Sequence, residues 1–498
     1  MGQIDIERGR FMKVLCIGNN TIDTEIKTQQ LSGTQYRGLL SSVDQEICDG
    51  FYQTSLFDLS RAELIDISEK FDKIIVLDQP KEQYNHPDAF YVTVSVGQEV
   101  NAEFLDKSYM TDVSFFENLV DQNTSFCIFP FIELLVNNGN TTVCCRSATP
   151  VAPLRGLDFH NNPEYQHIRQ HMIEGSRLPE HCSACYRIEE LGMRSARQQE
   201  TVEWANRLNL KSIDDLLKIT KPAYYEVRAS NVCNLLCRTC GPTSSNQIEQ
   251  EYKLLKLIPT EIPTPTYTDF DFVDFDNLFK MYVAGGEPTA MAEFYRFLDH
   301  CIGQENTDFE LMINTNAHKF SKKFKDQISK FSNVCFIVSV DGVDELNYYV
   351  RWPSNWKNIC DNINWIVESG HSLSFNITVS IYNISSLYKI LSFLEHNYPS
   401  GLIHCQLAES SDDIFSPFNF PDSELILGEL IKIQDLKCYK NTKLLETFVD
   451  GLIKTFNTNQ INANTLKKFF EFNDLLDNSR GLRLMDYIPD LDCHRNEI

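Results

Sequence analysis

From residue 222 to about 408 the chain repeats one pattern: a short apolar run, a turn, then a longer stretch with apolar positions at helical spacing. The apolar runs are "YYEVRAS" (224–230), "KMYVAG" (280–285), "FELMINTN" (309–316), "VCFIVSVDG" (334–342), "SFNITVSI" (374–381) and "LIHCQLA" (402–408). Between them, "MAEFYRFLDHCI" (291–302) and "ISSLYKILSFLEHN" (384–397) carry the repeat of helices buried on one side. Strands that alternate with helices pair in parallel, because each connection is long enough for a crossover. The expectation is an α/β fold, a partial (β/α)6 TIM-like barrel over 222–410, with ligand groups at the C-terminal strand ends.

The flanks read differently. "MKVLCI" (12–17) and "KIIVLD" (73–78) are buried-strand runs around the helical "SLFDLSRAELIDISEKF" (55–71), which predicts a small α/β domain over 1–120. "CIGNN" after the first run lacks G-x-G-x-x-G, so no dinucleotide site is expected there. Over 121–210, "FCIFPFIELLVNNGNTTVCC" predicts two strands joined at Asn138-Gly139, "YQHIRQHMIEG" a helix ending on Gly175, and "LPEHCSACYRIEELGMRSARQQ" a Cys-x-x-Cys opening another helix. Residues 411–498 read as a helical extension used for packing.

Charge and cysteine content change this picture. A net charge of −24 argues against a nucleic-acid partner, since phosphate binding draws on Lys and Arg. The longest apolar stretch, "FCIFPFIELLV", is too short to cross a bilayer, and the first residues carry no secretory pattern, so a cytoplasmic enzyme without a membrane partner is expected. Of sixteen cysteines, eight fall between 127 and 240. In a reducing compartment such clustering points to metal ligands or catalytic thiols.

Cys233, Cys237 and Cys240 lie in "RASNVCNLLCRTCGP" (228–242), straight after the first barrel strand. Thiolates at this spacing suit zinc or an iron–sulfur cluster, and three buried thiols is the plain alternative. Zinc normally takes a fourth protein ligand, and no His or Cys follows Cys240 at short range. Three ligands on a cubane leave one iron open to a small chelating molecule.

The trio resembles the signature of the radical S-adenosylmethionine (SAM) superfamily, Cys-x-x-x-Cys-x-x-Cys after the first barrel strand. The resemblance implies that Cys233, Cys237 and Cys240 hold a catalytic 4Fe–4S cluster whose open iron binds SAM. One electron then releases a 5′-deoxyadenosyl radical that abstracts hydrogen from a substrate. Gly285, Gly286, Glu287 and Pro288 in "VAGGEPTA" match the family's GGEP motif beside the SAM amino group. Asn316 in "INTNA" matches a position near the ribose, and Ser339 and Asp341 in "VSVDG" match a polar pair near SAM. Arg351, in "NYYVRWPSNW", matches an arginine reaching the SAM carboxylate, a partner its guanidinium suits; a structural Asp341–Arg351 salt bridge is the competing reading. Asn383 and Gln406 are weaker matches, and Thr239 stands where the family often has an aromatic.

Cys127, Cys144, Cys182 and Cys185 resemble the ligands of the family's auxiliary-cluster domains, called twitch and SPASM, with Cys145 a rival for Cys144. This implies a twitch-like domain over 121–210 with a second 4Fe–4S cluster active in electron transfer, although zinc fits the same four ligands and the domain here precedes the barrel. Arg187, Arg194 and Arg197 form either an anion site or a solvated helix face. The partners implied are SAM, a peptide or small-molecule substrate and a flavodoxin- or ferredoxin-type electron donor. A non-catalytic iron–sulfur or zinc scaffold is the rival class, and SAM-dependent methyl transfer a third reading.

Overall fold

A computed structural model describes residues 113–497, apart from 148, 191–193, 260–267, 409–412 and 459–460, together with four short strands nearer the N-terminus. The chain divides into two compact units, Met1–Gln122 with Thr201–Asp215, and Asn123–Glu200 with Leu216–Ile498.

In the first unit β1 (Val14–Gly18), β2 (Tyr36–Leu40), β3 (Lys73–Val76) and β4 (Glu99–Val100) form a sheet in the order β2-β1-β3-β4. β1 pairs in parallel with both β2 and β3, and β4 is antiparallel. The helix expected over 55–71 lies outside the described residues.

The second unit is built on nine strands. They are β5 (Glu133–Asn137), β6 (Asn140–Thr142), β7 (Ala152–Pro153), β8 (Tyr224–Arg228), β10 (Lys280–Ala284), β11 (Glu310–Thr315), β12 (Val334–Ser339), β14 (Ser372–Val379) and β15 (Leu402–Leu407). A separate two-residue ladder joins β9 (Leu236–Cys237) to β13 (Arg351–Trp352). The order β15-β14-β12-β11-β10-β8-β5-β6-β7 keeps the six expected strands parallel and in sequence. β5 adds a seventh parallel strand beside β8, so the cysteine-bearing hairpin shares the barrel sheet rather than forming a sheet of its own.

Side chains alternate across this sheet. Tyr225, Val227, Met281, Val283, Leu311, Ile313, Phe336, Val338, Phe375 and Ile377 share one face and are buried in the apolar core with the crossover helices Ala292–Gly303, Trp356–Glu368 and Leu387–Asn397. The opposite face is polar, with Glu226, Arg228, Lys280, Tyr282, Glu310, Asn314 and Ser339. The polar groups on this face, buried Glu226 and Glu310 among them, suit a polar ligand better than an apolar core.

The Asn138-Gly139 turn has both residues at positive φ, 51° and 71°, as a two-residue hairpin requires. The strand expected to begin at Phe126 starts only at Glu133, because Pro130 opens a short helix at Phe129–Ile132. Helix α1 (Pro163–Glu174) is capped by Asn162 and ends on Gly175 at φ 77°. Helix α2 (Pro179–Glu190) carries Cys182 and Cys185, and α3 (Asn246–Leu254) follows the cysteine trio. The tail is helical and includes α4 (Ala463–Arg480). No helix among the described residues is long and apolar enough to cross a membrane.

Candidate functional site

The cysteine trio leaves the C-terminal end of β8, and the ends of three other strands are tied to it. Gly286 N–H donates to the Ser230 carbonyl (3.0 Å) and Glu287 N–H to the Val232 carbonyl (2.8 Å), so the end of β10 is stitched to the chain just before Cys233. A Cβ on Gly286 would lie 2.1 Å from the Val232 oxygen, and one on Gly285, at φ +114°, 2.7 Å from the Ser230 oxygen. The glycines are needed here for backbone-to-backbone approach.

Glu287 is buried, and its carboxylate accepts from Thr289 N–H (3.1 Å), Thr289 Oγ1 (2.8 Å), Thr315 Oγ1 (2.7 Å) and Asn316 N–H (2.7 Å). Burial raises its pKa despite these donors. Pro288 opens the short turn that returns Thr289 to it. Asn316, at the end of β11, donates from Nδ2 to Asn234 Oδ1 (2.7 Å), inside the cysteine loop. From β12, Ser339 Oγ donates to Asn314 Oδ1 (3.4 Å) on the polar face.

Arg351 stands directly opposite Cys237 in the β9–β13 ladder. Its Nη1 donates to Asp341 Oδ2 (2.7 Å), and Asp341 Oδ1 accepts Thr378 N–H (2.8 Å). The Asp341–Arg351 salt bridge is therefore present. Burial works against the Arg351 charge, but Cys237 and Asp341 more than reverse that, so its pKa is raised. Asn383 is buried and donates to the Asp341 and Thr378 carbonyls (3.0 Å each), while Gln406 is exposed on β15.

Several residues that hold the loop carry no family motif. Asn246, at the start of α3, accepts from Cys233 N–H (3.0 Å), and Ser245 Oγ donates to the Leu235 carbonyl (3.1 Å). Arg238, between the second and third cysteines, is fully buried. It donates to the Tyr349 carbonyl (2.9 Å), Asn473 Oδ1 (2.8 Å) and Asp477 Oδ1 (2.5 Å), and its guanidinium carbon lies 3.6 Å from the Tyr349 ring centroid. Its position inside the motif was the only sequence signal, since the α4 partners lie 235 and 239 residues further on. Arg238→Ala strands a buried aspartate and is expected to destabilise the chain by about 3–5 kcal/mol, read as a lower urea midpoint.

Burial pushes the Cys233 and Cys240 thiols up to about 12 and raises Cys237 as well, with Arg351 pulling Cys237 back down. Among the described residues no three His, Cys, Asp or Glu side chains close on a point suited to one metal ion. The trio nevertheless fits a larger anionic iron–sulfur group. The three thiols share one electrostatic neighbourhood, and Arg351 beside them keeps a buried Nε–H with no acceptor among the described residues.

The second group also shares a neighbourhood. Cys127 feels the charges of Cys182, Cys144 and Cys185, and Cys144 those of Glu133, its chain neighbour Cys145 and Cys182. Cys145 is exposed and faces Glu226, Glu133 and Arg228 on the polar side of the sheet. Arg197 is buried against Glu189 (2.9 Å) and donates to the Phe126 carbonyl (2.6 Å), bracing Cys127 to α2, whereas Arg187 and Arg194 are exposed. Thr142 is level with Leu135, and Glu133 with Tyr224, so Cys144 lies at the N-terminal end of β8's neighbour. The two cysteine groups thus occupy opposite ends of the same sheet, separated by β8, whose four residue steps span about 13 Å.

No family model and no curated protein matches the chain. Solved structures similar to part of it include Streptococcus suis SuiB bound to S-adenosylmethionine (15% identity, 59% of this chain and 62% of that one, TM-score 0.30). SuiB bound to its precursor peptide SuiA is similar at 14% identity, over 60% and 65% of the two chains, with a TM-score of 0.29. A histidine-tagged anSMEcpe with bound AdoMet is similar at 15% identity, over 46% and 61%, with a TM-score of 0.31. The chain spans about three fifths of the length of these structures.

Proposed function

We propose that this chain is a radical SAM enzyme, with Cys233, Cys237 and Cys240 holding a 4Fe–4S cluster at the C-terminal end of β8. When bound, such a cluster supplies the electron that reductively cleaves SAM to a 5′-deoxyadenosyl radical. The observation that carries the reading is the convergence on the cysteine loop: Gly286 and Glu287 bond to its entry, Asn316 to its centre, and Arg351 lies across from Cys237. Arg351 is the residue suited to a SAM carboxylate, with Asp341 orienting its guanidinium. Glu287 acts one step back, holding the strand ends at which Asn316 and the glycines sit.

The polar face of the sheet then receives the substrate, a peptide or a small polar molecule, next to the radical source. Full-length chain reconstituted anaerobically with iron and sulfide, then given dithionite and SAM, is expected to release 5′-deoxyadenosine. Release of S-adenosylhomocysteine would favour methyl transfer, and no turnover of SAM by a loaded protein would favour the scaffold.

Cys127, Cys144, Cys182 and Cys185 are proposed to hold a second 4Fe–4S cluster that exchanges electrons with the reaction or its donor. Their shared neighbourhood supports this set over one using Cys145. Iron and sulfide near eight each per chain are expected, falling to about four in a Cys182→Ala/Cys185→Ala variant. Zinc in place of half the iron would overturn the assignment.

A further inference from the structure

Arg480 ends α4, far in sequence from every motif. Its Nε and Nη2 donate to Glu251 Oε1 (2.9 Å) and Oε2 (2.6 Å), and its guanidinium carbon lies 5.3 Å from the Trp352 ring centroid. These contacts use one edge of the fork and cover its flat side. The remaining nitrogen, Nη1, is buried and has no acceptor among the described residues. Its surroundings flank the cysteine loop: Trp352 pairs with Leu236 next to Cys237, and the Arg480 charge is felt at the Cys237 thiol and, like that of Cys240, at Tyr252.

A buried cationic N–H without an acceptor is costly, and Nη1 is suited to an anionic acceptor that the described residues do not supply. We infer that Arg480 is a positioning and tuning residue for the iron–sulfur cluster, donating through Nη1 to sulfur on the Cys237 side and stabilising its reduced, more negative state. The inference rests on the cluster reading given above. Glu251 fixes the guanidinium and offsets part of its charge, so the two residues act on the cluster with opposite sign. Hydrogen bonds to the sulfurs and local charge are both established controls on cluster potential.

The test is a redox titration of the anaerobically reconstituted full chain, followed by the electron paramagnetic resonance signal of the reduced cluster. The auxiliary cysteines are replaced in every sample (Cys182→Ala/Cys185→Ala) so that one cluster is read. Arg480→Gln is expected to lower the reduced-to-oxidised ratio at fixed potential about tenfold, equivalent to ~59 mV for one electron. Arg480→Lys, which keeps the charge without the fork, is expected to fall between it and the parent. Glu251→Gln leaves the guanidinium in place without its counter-charge and is expected to shift the ratio the other way. Opposite shifts are not what general loosening of the fold produces. Arg480→Gln loaded with parental iron and titrating at the parental potential would overturn the inference. So would an unmoved or lowered potential in Glu251→Gln, which decides the matter if Arg480→Gln does not fold. A parent chain that takes up no cluster would instead sink the reading of the cysteine site, and this inference with it.

Discussion

Cys237→Ala is expected to abolish SAM cleavage, lowering 5′-deoxyadenosine release by more than ~100-fold while leaving the fold intact. Loss of an outer partner of a metal ligand alone costs 10–100-fold, and here the ligand itself is removed. Cys237 is buried opposite Arg351, and a methyl group in place of the thiol leaves the β9–β13 backbone ladder untouched. Circular dichroism should therefore match the parent chain, whereas the visible absorption of the reconstituted protein should fall. Because the proposed auxiliary site lies beyond the other end of β8, the variant should retain about half the iron. A Cys237→Ala chain that still cleaves SAM at the parental rate would refute the assignment.

The second large effect is expected at Gly286. An alanine Cβ there would meet the Val232 carbonyl at 2.1 Å, and that carbonyl also accepts the Glu287 N–H. No flexible side chain is available to yield, so the backbone before Cys233 has to move. Gly286→Ala is expected to cost about 3 kcal/mol or more in stability and to reduce iron uptake at the trio. Gly451→Ala is the matched control. It lies within the helix Lys443–Phe456 with nothing near its missing Cβ, and should gain about 0.5–1 kcal/mol. The urea midpoints of the two variants should move in opposite senses and only Gly286→Ala should lose iron, and equal behaviour would show that the glycine pair is not what holds the loop.

Much of this architecture was legible from local pattern. Each of the six parallel strands is a short apolar run, joined to the next by a crossover, and each lies within three residues of its expected position. The Asn138-Gly139 turn was readable because both residues tolerate positive φ. The pairing of β5 with β8 was not readable, since neither strand's pattern names its neighbour. The same applies to Arg238 and Arg480, whose ion-pair partners are more than two hundred residues away and follow from how the tail folds back. The motif residues do converge on the cysteine loop, but their sequence pattern leaves their roles open. Glu287 and Asp341 were expected near a cofactor, yet their oxygens are engaged by protein donors, which makes them supports for Asn316 and Arg351.

The hairpin beside β8 bears on how that side of the sheet is closed. β8 has a partner on either side, and the sheet finishes on β7, a two-residue strand containing Pro153, which offers little for another chain to bond to. Excising residues 123–153 would bare a full row of amides and carbonyls along β8, immediately before the cysteines. A protein trimmed to its repeating half should consequently add strands from its own copies and precipitate, even with every proposed cluster ligand of the catalytic loop retained.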